Sequence, residues 1–260
     1  MQELTRSGKS RAVVLVKALP QVSEVYGETV CVAAVDDHGK WVRLYPVTFR
    51  SLARDQQFGR WDVIGFDWRL PDSAKDRRKE SLRVEAVSIK IERQLGERHR
   101  EAFLNRTIIT STQKEYEQGN SLALLRPSDC QFHWRRRSAD EIEKIRQDYV
   151  RLKTAPADLF GERPKAVDRE PAPYDFFYQY KDDDGSHDAR CHDWEIEATF
   201  LRRRGEMGEQ AALEWMAGKF GEEYPRRGML FAMGTHSQRN WQWMIIGVIR
   251  MNPVTQPTLF

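Results

Sequence analysis

Short apolar runs rich in β-branched residues, separated by turns, occupy the first part of this 260-residue chain. They cover residues 12–16, 29–35, 40–47, 61–68 and 82–91. β-Branched residues favour strands over helices because their side chains pack well on a pleated surface. Several short strands that precede any long helix are typical of a small β-barrel. The sequence therefore predicts a barrel or half-barrel in the N-terminal part.

The run at 40–47 alternates, so that Trp41, Arg43 and Tyr45 share one face of the predicted strand. If this face points to solvent, the Arg43 guanidinium can hold a phosphate while the two rings stack on bases. If it points inward, Arg43 is a buried structural residue paired with Asp36 or Asp62. The pattern of alternation is the same in both cases. We predict the outward orientation, with these three residues in a nucleic-acid-binding face.

A proline-rich, charged segment divides the chain. Residues 154–173 contain four prolines among charged residues, and we place a linker there between residues 1–153 and 174–260. A helix is predicted to begin after Ser138, because Ser138 and Glu141 have the spacing of a capping box. Beyond the linker, the pattern predicts an aromatic strand at 174–180, a helix over 206–220 and two closing strands.

Basic residues are clustered although they barely outnumber acidic ones. Lys and Arg total 42 and Asp and Glu total 39, a formal net charge of +3, which excludes a polycationic binder. The clusters lie at 75–79, 135–137, 202–204 and 226–227. The candidate nucleic-acid-binding residues outside the 40–47 strand are His133, Trp134, Arg135, Arg136, Arg137, Arg202 and Arg203. A solvated charged surface beside core aromatics is the alternative explanation.

Asp193, Glu195 and His236 form the candidate catalytic set. On a strand, Asp193 and Glu195 would share one face with Glu197 and could surround a divalent metal, as in a phosphodiesterase. On a helix, Asp193 and Glu197 would instead lie four residues apart on one face. The sequence contains no standard nucleophile or phosphate-loop motif. We therefore predict binding without catalysis, and no cofactor.

A second set of residues has the chemistry of a zinc site. Cys130, His133, Cys191 and His192 supply thiolate and imidazole ligands. Structural zinc sites show two close pairs of ligands, and adjacent Cys191 and His192 are poorly placed to chelate together. We therefore predict no tightly bound zinc.

Cysteine number and the N-terminal sequence indicate a reducing compartment. The three cysteines are far apart and odd in number, unlike a disulfide framework. The first 11 residues lack the apolar core of a signal peptide. The most apolar stretch, at 241–249, is about half of what a bilayer crossing needs. We expect a cytoplasmic protein without a membrane partner.

The stretch CVAAVDDHGKWVRLYPV resembles the opening of prokaryotic proteins described as containing a dual OB domain. Its matching positions are Cys31, Ala33, Gly39, Trp41, Arg43 and Pro46. The second half is similar to a family of bacterial proteins with an Asp-Trp-Glu-Ile block, found here at 193–196, and a closing Ile-Ile-Gly strand, found here at 245–247. The resemblance implies OB-like barrels that recognise nucleic acid in a mobile-element or defence context.

Together these observations predict an α+β fold. An N-terminal OB-like barrel with a trailing helix would precede a mixed α/β half, which can complete a second barrel. Three functions remain open: nucleic-acid binding without catalysis, a metal-dependent phosphodiesterase, and a subunit that docks a partner protein in a larger complex. We predict the first, because basic and aromatic residues are interleaved at several places along the chain.

Overall fold

The structure, a computed structural model, describes residues 6–23, 25–72, 76–105, 107–154 and 170–251. The N-terminal strands are β1 (Ser7–Lys17), β2 (Gln21–Ser23), β3 (Gly27–Asp36), β4 (Trp41–Val47), β5 (Asp62–Arg69), β6 (Ser81–Val84) and β7 (Lys90–Gln94). The central elements are α1 (Glu97–Leu104), β8 (Ile108–Ile109), α2 (Thr112–Glu117), β9 (Leu122–Leu125), β10 (Ser128–Arg136) and α3 (Ala139–Thr154).

The C-terminal part alternates strands and helices. Its elements are β11 (Tyr174–Asp182), β12 (Gly185–Arg190), α4 (Trp194–Met207), α5 (Glu209–Met216), α6 (Tyr224–Arg226), β13 (Met229–Thr235) and β14 (Trp243–Arg250). A π-helical segment, Ala217–Glu223, joins α5 to α6. Among the helices of the described residues, none is both long and apolar enough to cross a membrane.

Five N-terminal strands close into a barrel. Their order is β1-β3-β4-β6-β5, and β5 pairs back to β1. The neighbours are antiparallel except for β4 and β6, which run parallel. A five-stranded closed barrel of this kind is OB-like. The predicted N-terminal barrel and the α+β class are thus confirmed.

The β3–β4 hairpin forms where the sequence predicts it. Asp36 closes the turn, because its Oδ1 accepts hydrogen bonds from the backbone N–H groups of His38 and Lys40. Gly39 adopts a φ of 76°, which glycine tolerates without steric cost. Val42 and Leu44 then point into the barrel core, so Trp41, Arg43 and Tyr45 lie on its outer face.

Strands from both sides of the predicted linker pair with each other. β10 pairs with β11, and β9 pairs with β13, so residues 122–136 share sheets with strands beyond residue 173. The predicted boundary at 154–173 therefore separates strands that belong together. Sequence inspection missed this because pairing partners distant in the chain leave no local pattern. Of the predicted linker, residues 155–169 lie outside the described residues.

The C-terminal sheets have the orders β10-β11-β12 and β14-β13-β9-β8. An isolated parallel bridge between Cys191 and Ile245 connects the end of β12 to β14. Aromatic side chains from β10 and β11 fill the space between these sheets and helices α4 and α5. This arrangement forms the C-terminal core.

Helix boundaries follow local chemistry. At the start of α3, the Ser138 Oγ accepts the Glu141 N–H and Glu141 accepts the Ser138 N–H, which confirms the predicted capping box. The helix predicted over 206–220 is instead divided. Gly208 has a φ of 86° and ends α4, which began at Trp194, before α5 starts.

A second apolar core joins the two halves. The outer face of β1 and β3 packs against β9, β13 and β14. The barrel contributes Val13, Leu15, Val16, Ala33 and Val35, and the C-terminal part contributes Leu122, Leu124, Leu230, Ala232, Ile246 and Ile249. All of these side chains are buried. The halves are therefore held together by apolar packing as continuous as that inside either of them.

Candidate nucleic-acid interface

Arg43 is buried, with 3% of its surface exposed. Its Nη2 donates to the Ser121 carbonyl at 2.8 Å and to the Ser121 hydroxyl at 3.1 Å, and burial lowers the pKa of Arg43. The predicted outward, phosphate-binding role of Arg43 is wrong, because the C-terminal part covers this end of β4. Arg43 is buried as in the alternative, but on the outer face of the barrel instead of inside it, and its partner is Ser121 instead of Asp36 or Asp62.

Ser121 is in turn held by Glu80. The backbone N–H and the hydroxyl of Ser121 donate to the two carboxylate oxygens of Glu80, at 2.8 and 2.7 Å. Glu80 is 9% exposed. Arg43, Ser121 and Glu80 thus form a buried polar chain that links β4 of the barrel to the start of β9.

The two aromatic neighbours of Arg43 on β4 have different surroundings. Trp41 is half-buried and packs against the core between the halves, so it is unavailable as the predicted stacking platform. Tyr45 lies at the other end of the strand and is 39% exposed. Its ring meets that of Tyr26 edge to face, with centroids 6.5 Å apart. Of the predicted β4 face, only Tyr45 remains accessible.

The segment 132–137 alternates between the core and the surface. Trp134 packs against the C-terminal core beside Phe132, which corrects its predicted role in stacking bases. His133 faces outward from the β10-β11-β12 sheet. It stacks on Phe177 with ring centroids 5.2 Å apart, and its Nε2 lies 2.9 Å from Asp188 Oδ1.

The three predicted arginines of this segment are engaged in ion pairs. The buried Asp175 carboxylate contacts Arg135 at 2.7 Å, Arg137 at 2.7 Å and Arg190 at 2.6 Å. Arg137 is itself buried, so its predicted contact with nucleic acid is wrong. Arg136 is exposed and pairs with a glutamate at the start of α5 at 3.0 Å. Most of this basic cluster therefore stabilises the fold.

Arg202 and Arg203 occupy different positions on α4. The Arg203 guanidinium lies over the Trp215 ring at 4.3 Å and contacts Glu206 at 2.7 Å. Arg202 is largely exposed, and its ion pair with Glu206 is long at 4.0 Å. Only Arg202 of the two remains accessible to a ligand.

The candidate catalytic set is dispersed into structural roles. Asp193 is buried at the N-cap of α4 and accepts hydrogen bonds from the Glu195 and Val248 backbone N–H groups and from Arg60. Burial raises the pKa of Asp193, and the Arg60 guanidinium opposes the rise. Glu195 also pairs with Arg60, at 2.8 Å. The helical alternative for this block is correct, because Asp193 begins a helix.

The candidate zinc ligands do not form a site. Cys130 packs against the C-terminal core, whereas His133 faces outward from the same strand. Burial raises the pKa of Cys130 to about 12 and lowers that of His192 to about 4. Cys191 is fully enclosed, and burial raises its pKa further still. Within the described residues no group of three or more His, Cys, Asp or Glu side chains is arranged to hold a metal ion.

A cleft of about 990 Å³ lies where the two halves meet at the surface. Three segments form its walls: the β5–β6 loop, the turn from α2 into β9, and the β13–β14 loop. The lining residues are Arg77, Arg78, Tyr116, Glu117, Gly119, Asn120, Ser121, Thr235, Ser237, Gln238 and Asn240. The buried chain from Arg43 through Ser121 ends at this cleft.

Two neighbouring arginines on the β5–β6 loop supply the positive charge of the cleft. Arg78 is fixed, because it forms a two-pronged pair with Asp76 at 2.9 and 2.8 Å and donates to the Thr235 carbonyl at 3.0 Å. Arg77 is exposed and makes no ion pair with any described residue. Lys75, which belongs to the same predicted cluster, lies outside the described residues.

The β13–β14 loop presents amides and an exposed indole. His236 shapes this loop in two ways. Its ring Nδ1 accepts a hydrogen bond from the Gln238 backbone N–H at 3.2 Å, and its backbone N–H donates to the Gln242 carbonyl. This is a structural role, different from the predicted catalytic one. Trp241, next to the lining residue Asn240, is 62% exposed. The Thr235 Oγ1, buried at the cleft, has no hydrogen-bond partner among the described residues.

The sequence indicates one of the three segments that form this cleft. The basic cluster at 75–79 is visible in the sequence, and Arg77 and Arg78 belong to it. Tyr116, Asn120, Gln238 and the exposed Trp241 were missed. Each is a single polar or aromatic residue, Tyr116 at the end of α2 and the others in loops, and the pairing of β9 with β13 that brings them together leaves no local pattern.

Comparisons with known proteins extend over both halves. A family model described as Domain of unknown function (DUF8758) matches residues 8–110, and one described as Domain of unknown function (DUF8757) matches residues 106–260. No curated protein matches the chain. Among solved structures, the chain is similar to one from a replication protein A heterotrimer bound to ssDNA. The identity is 13% and the TM-score 0.26, with 96% of this chain and 67% of that chain covered.

Proposed function

The chain belongs to the DUF8757 family, and we propose that it binds nucleic acid, without catalysis, in the cleft between its halves. The observation that carries this proposal is the meeting of an unpaired arginine, exposed rings and free amides at one cleft. These three kinds of group suit the three parts of a nucleotide chain that a protein can contact: phosphates, base faces and base edges.

Phosphate is the ligand that suits the arginines. A guanidinium presents a planar fork of donors that matches phosphate oxygens. Arg77 has no ion pair with a described residue, so its charge is available to a ligand. Arg78 is held in position by Asp76 and Thr235, which reduces the entropy lost when an anion binds beside it.

Base stacking suits the exposed rings. Tyr116 is 37% exposed and lines the cleft, and Trp241, which follows the lining residue Asn240 in the chain, is 62% exposed. Stacking of a base on an aromatic side chain contributes about 1–3 kcal/mol and tolerates any base, because every base has a π-face. Gln238 and Asn240 also line the cleft and are exposed, so their amides can hydrogen-bond to base edges.

The polar lining of the cleft also favours a polar ligand such as nucleic acid over a small apolar one. At about 990 Å³ the cleft lies at the upper end of the range of roughly 300–1,000 Å³ for small-molecule pockets, which are mostly apolar. Here the lining is dominated by charged, amide and hydroxyl side chains.

The strand order of the C-terminal part supports a second OB-like barrel, which we include in the proposal. We take β9 and β10 as one bent first strand, followed along the chain by β11, β12, β13 and β14. The order in space is then first, second, third, fifth, fourth and back to the first, which is also the order of β1, β3, β4, β6 and β5 in the N-terminal barrel. In both parts the third and fifth strands run parallel. The β5–β6 and β13–β14 loops are then equivalent, and OB-folds bind oligonucleotides with this loop. Both loops line the cleft.

Fluorescence anisotropy of labelled single- and double-stranded DNA and RNA tests the proposal. Wild-type affinity should fall steeply as salt rises, because binding releases counterions from phosphates. Arg77→Ala should lower the slope of log affinity against log salt by about one. Trp241→Ala should weaken binding by roughly 5–150-fold with the slope unchanged.

Arg202→Ala is the matched control, because Arg202 is an exposed arginine on α4 that does not line the cleft. It should leave affinity and slope unchanged. Absence of binding by the wild type would overturn the proposal, as would equal affinity of wild type, Arg77→Ala and Trp241→Ala. A prokaryotic defence setting, which the resemblance implies, and docking to a partner protein through an aromatic surface both remain predictions.

A further inference from the structure

Two arginines lie directly opposite each other on the outer face of the barrel. Arg69 on β5 pairs in register with Arg83 on β6, and Arg83 pairs in register with Tyr45 on β4. Like charges directly opposite on neighbouring strands destabilise a sheet. Neither arginine forms an ion pair with a described residue. Within the described residues, these two opposed charges are therefore not compensated by an acidic side chain.

Aromatic rings flank these charges. The Arg83 guanidinium lies 5.1 Å from the centroid of the Tyr26 ring, and Tyr26 meets the exposed Tyr45 edge to face. Arg69 is exposed and Arg83 is half-buried. The row formed by Tyr26, Tyr45, Arg83 and Arg69, here called the barrel row, is a basic surface bordered by rings.

The barrel row is connected to the cleft by the β5–β6 loop and by β4. The β5–β6 loop leaves β5 at Arg69 and enters β6 two residues before Arg83, and Arg77 and Arg78 lie within this loop. On β4, Tyr45 follows Arg43 on the same face, and Arg43 contacts the cleft residue Ser121. A nucleic-acid strand that leaves the cleft and follows β4 and β6 would therefore reach the barrel row.

We propose that the barrel row is a second contact for the nucleic-acid strand bound in the cleft, and that this strand is single-stranded. Arg69 and Arg83 would bind consecutive phosphates, which cancels their mutual repulsion, while Tyr45 stacks on an unpaired base. This inference rests on the proposed function of the cleft. A single strand is favoured because duplex bases are already stacked on each other and cannot stack on Tyr45 as well.

Binding of oligonucleotides of different length distinguishes the contact in the cleft from the contact at the barrel row. Single strands of about 4 and about 16 nucleotides span the range of site sizes known for single OB-folds. Arg69→Ala should weaken binding of the longer strand by about tenfold, the lower end of what a hydrogen bond to a charged group contributes. Its effect on the shorter strand should be small, whereas Arg77→Ala should weaken binding of both strands.

Thermal unfolding without ligand distinguishes a binding role from a structural one. Because Arg69→Ala removes a like-charge contact, the melting temperature should stay the same or rise while affinity falls. Arg69→Glu places an acid opposite Arg83 and should raise stability and lower affinity further. Arg202→Ala again serves as the control. A lower melting temperature with unchanged affinity would assign Arg69 a structural role and overturn the inference.

The outcomes also separate this inference from the proposed function. If Arg77→Ala weakens binding and the Arg69 variants do not, the cleft binds nucleic acid and the barrel row does not. If the wild type binds duplex as tightly as single strand, the single-stranded assignment is wrong. If neither length binds to the wild type, the proposed function and this inference both fail.

Discussion

Replacement of Arg43 by Met should destabilise the protein without weakening ligand binding by the folded fraction. Methionine keeps much of the side-chain length but removes the charge and both hydrogen bonds to Ser121. The buried Glu80 carboxylate then keeps its two Ser121 donors but loses the nearby positive charge of Arg43. A buried charge left without its compensating partner charge costs about 3–5 kcal/mol, and we expect a loss of this order although Arg43 acts on Glu80 through Ser121. For a chain of this size, that loss corresponds to a fall in Tm of roughly 6–20 °C.

The double variant Arg43→Met/Glu80→Gln supplies the internal control. Removing both charges should recover most of the lost stability, because replacing buried charges of opposite sign by neutral groups often changes the free energy of unfolding little. Urea unfolding of wild type, both single variants and the double variant gives the coupling energy, and anisotropy gives the affinity of the folded protein. Two results would refute the reasoning: Arg43→Met as stable as wild type, or a folded variant with lost affinity and unchanged stability.

Gly247→Ala should cost about 1–3 kcal/mol, because an added Cβ would overlap Val16 Cγ2 across the core between the halves. The matched change Gly205→Ala, in open space on α4, should instead stabilise by about 0.5–1 kcal/mol, and urea unfolding checks both. Burial lowers the pKa of His192 to about 4 from 6.5, so the unfolded chain takes up this proton first. Its contribution to stability is present above pH 6.5 and is lost as pH falls, by about 2–3 kcal/mol at pH 4.5. His192→Gln should remove this part of the pH dependence of unfolding, and an unchanged pH profile in that variant would contradict the assignment.

Local sequence patterns predicted local structure. The turn at 36–39 and the capping box at Ser138 form as expected, because each depends on side chains within four residues of each other. Alternation along β4 also assigned its residues to two faces correctly. Alternation does not indicate whether an outer face contacts water or another part of the chain. For this reason it did not predict that Arg43 is buried.

The predicted nucleic-acid-binding role of Arg137 was wrong for a related reason. Arg137 is indistinguishable in the sequence from its exposed neighbours, yet it binds a buried carboxylate, Asp175, 38 positions away. The cleft, in contrast, brings Arg78 into contact with Thr235, 157 positions apart. Contacts at such separations depend on the register of paired strands, and one sequence carries no direct record of that register.

The apolar packing on the outside of β1 and β3 limits how the barrel can be used apart from the rest of the chain. Val13, Leu15, Ala33 and Val35 are nearly inaccessible only because β9, β13 and β14 cover them. A fragment ending near residue 110, where the first family match stops, would leave this stripe open to water. An exposed apolar patch on strands invites self-association. Transplanting the barrel into another protein would therefore require polar replacements along these two strands.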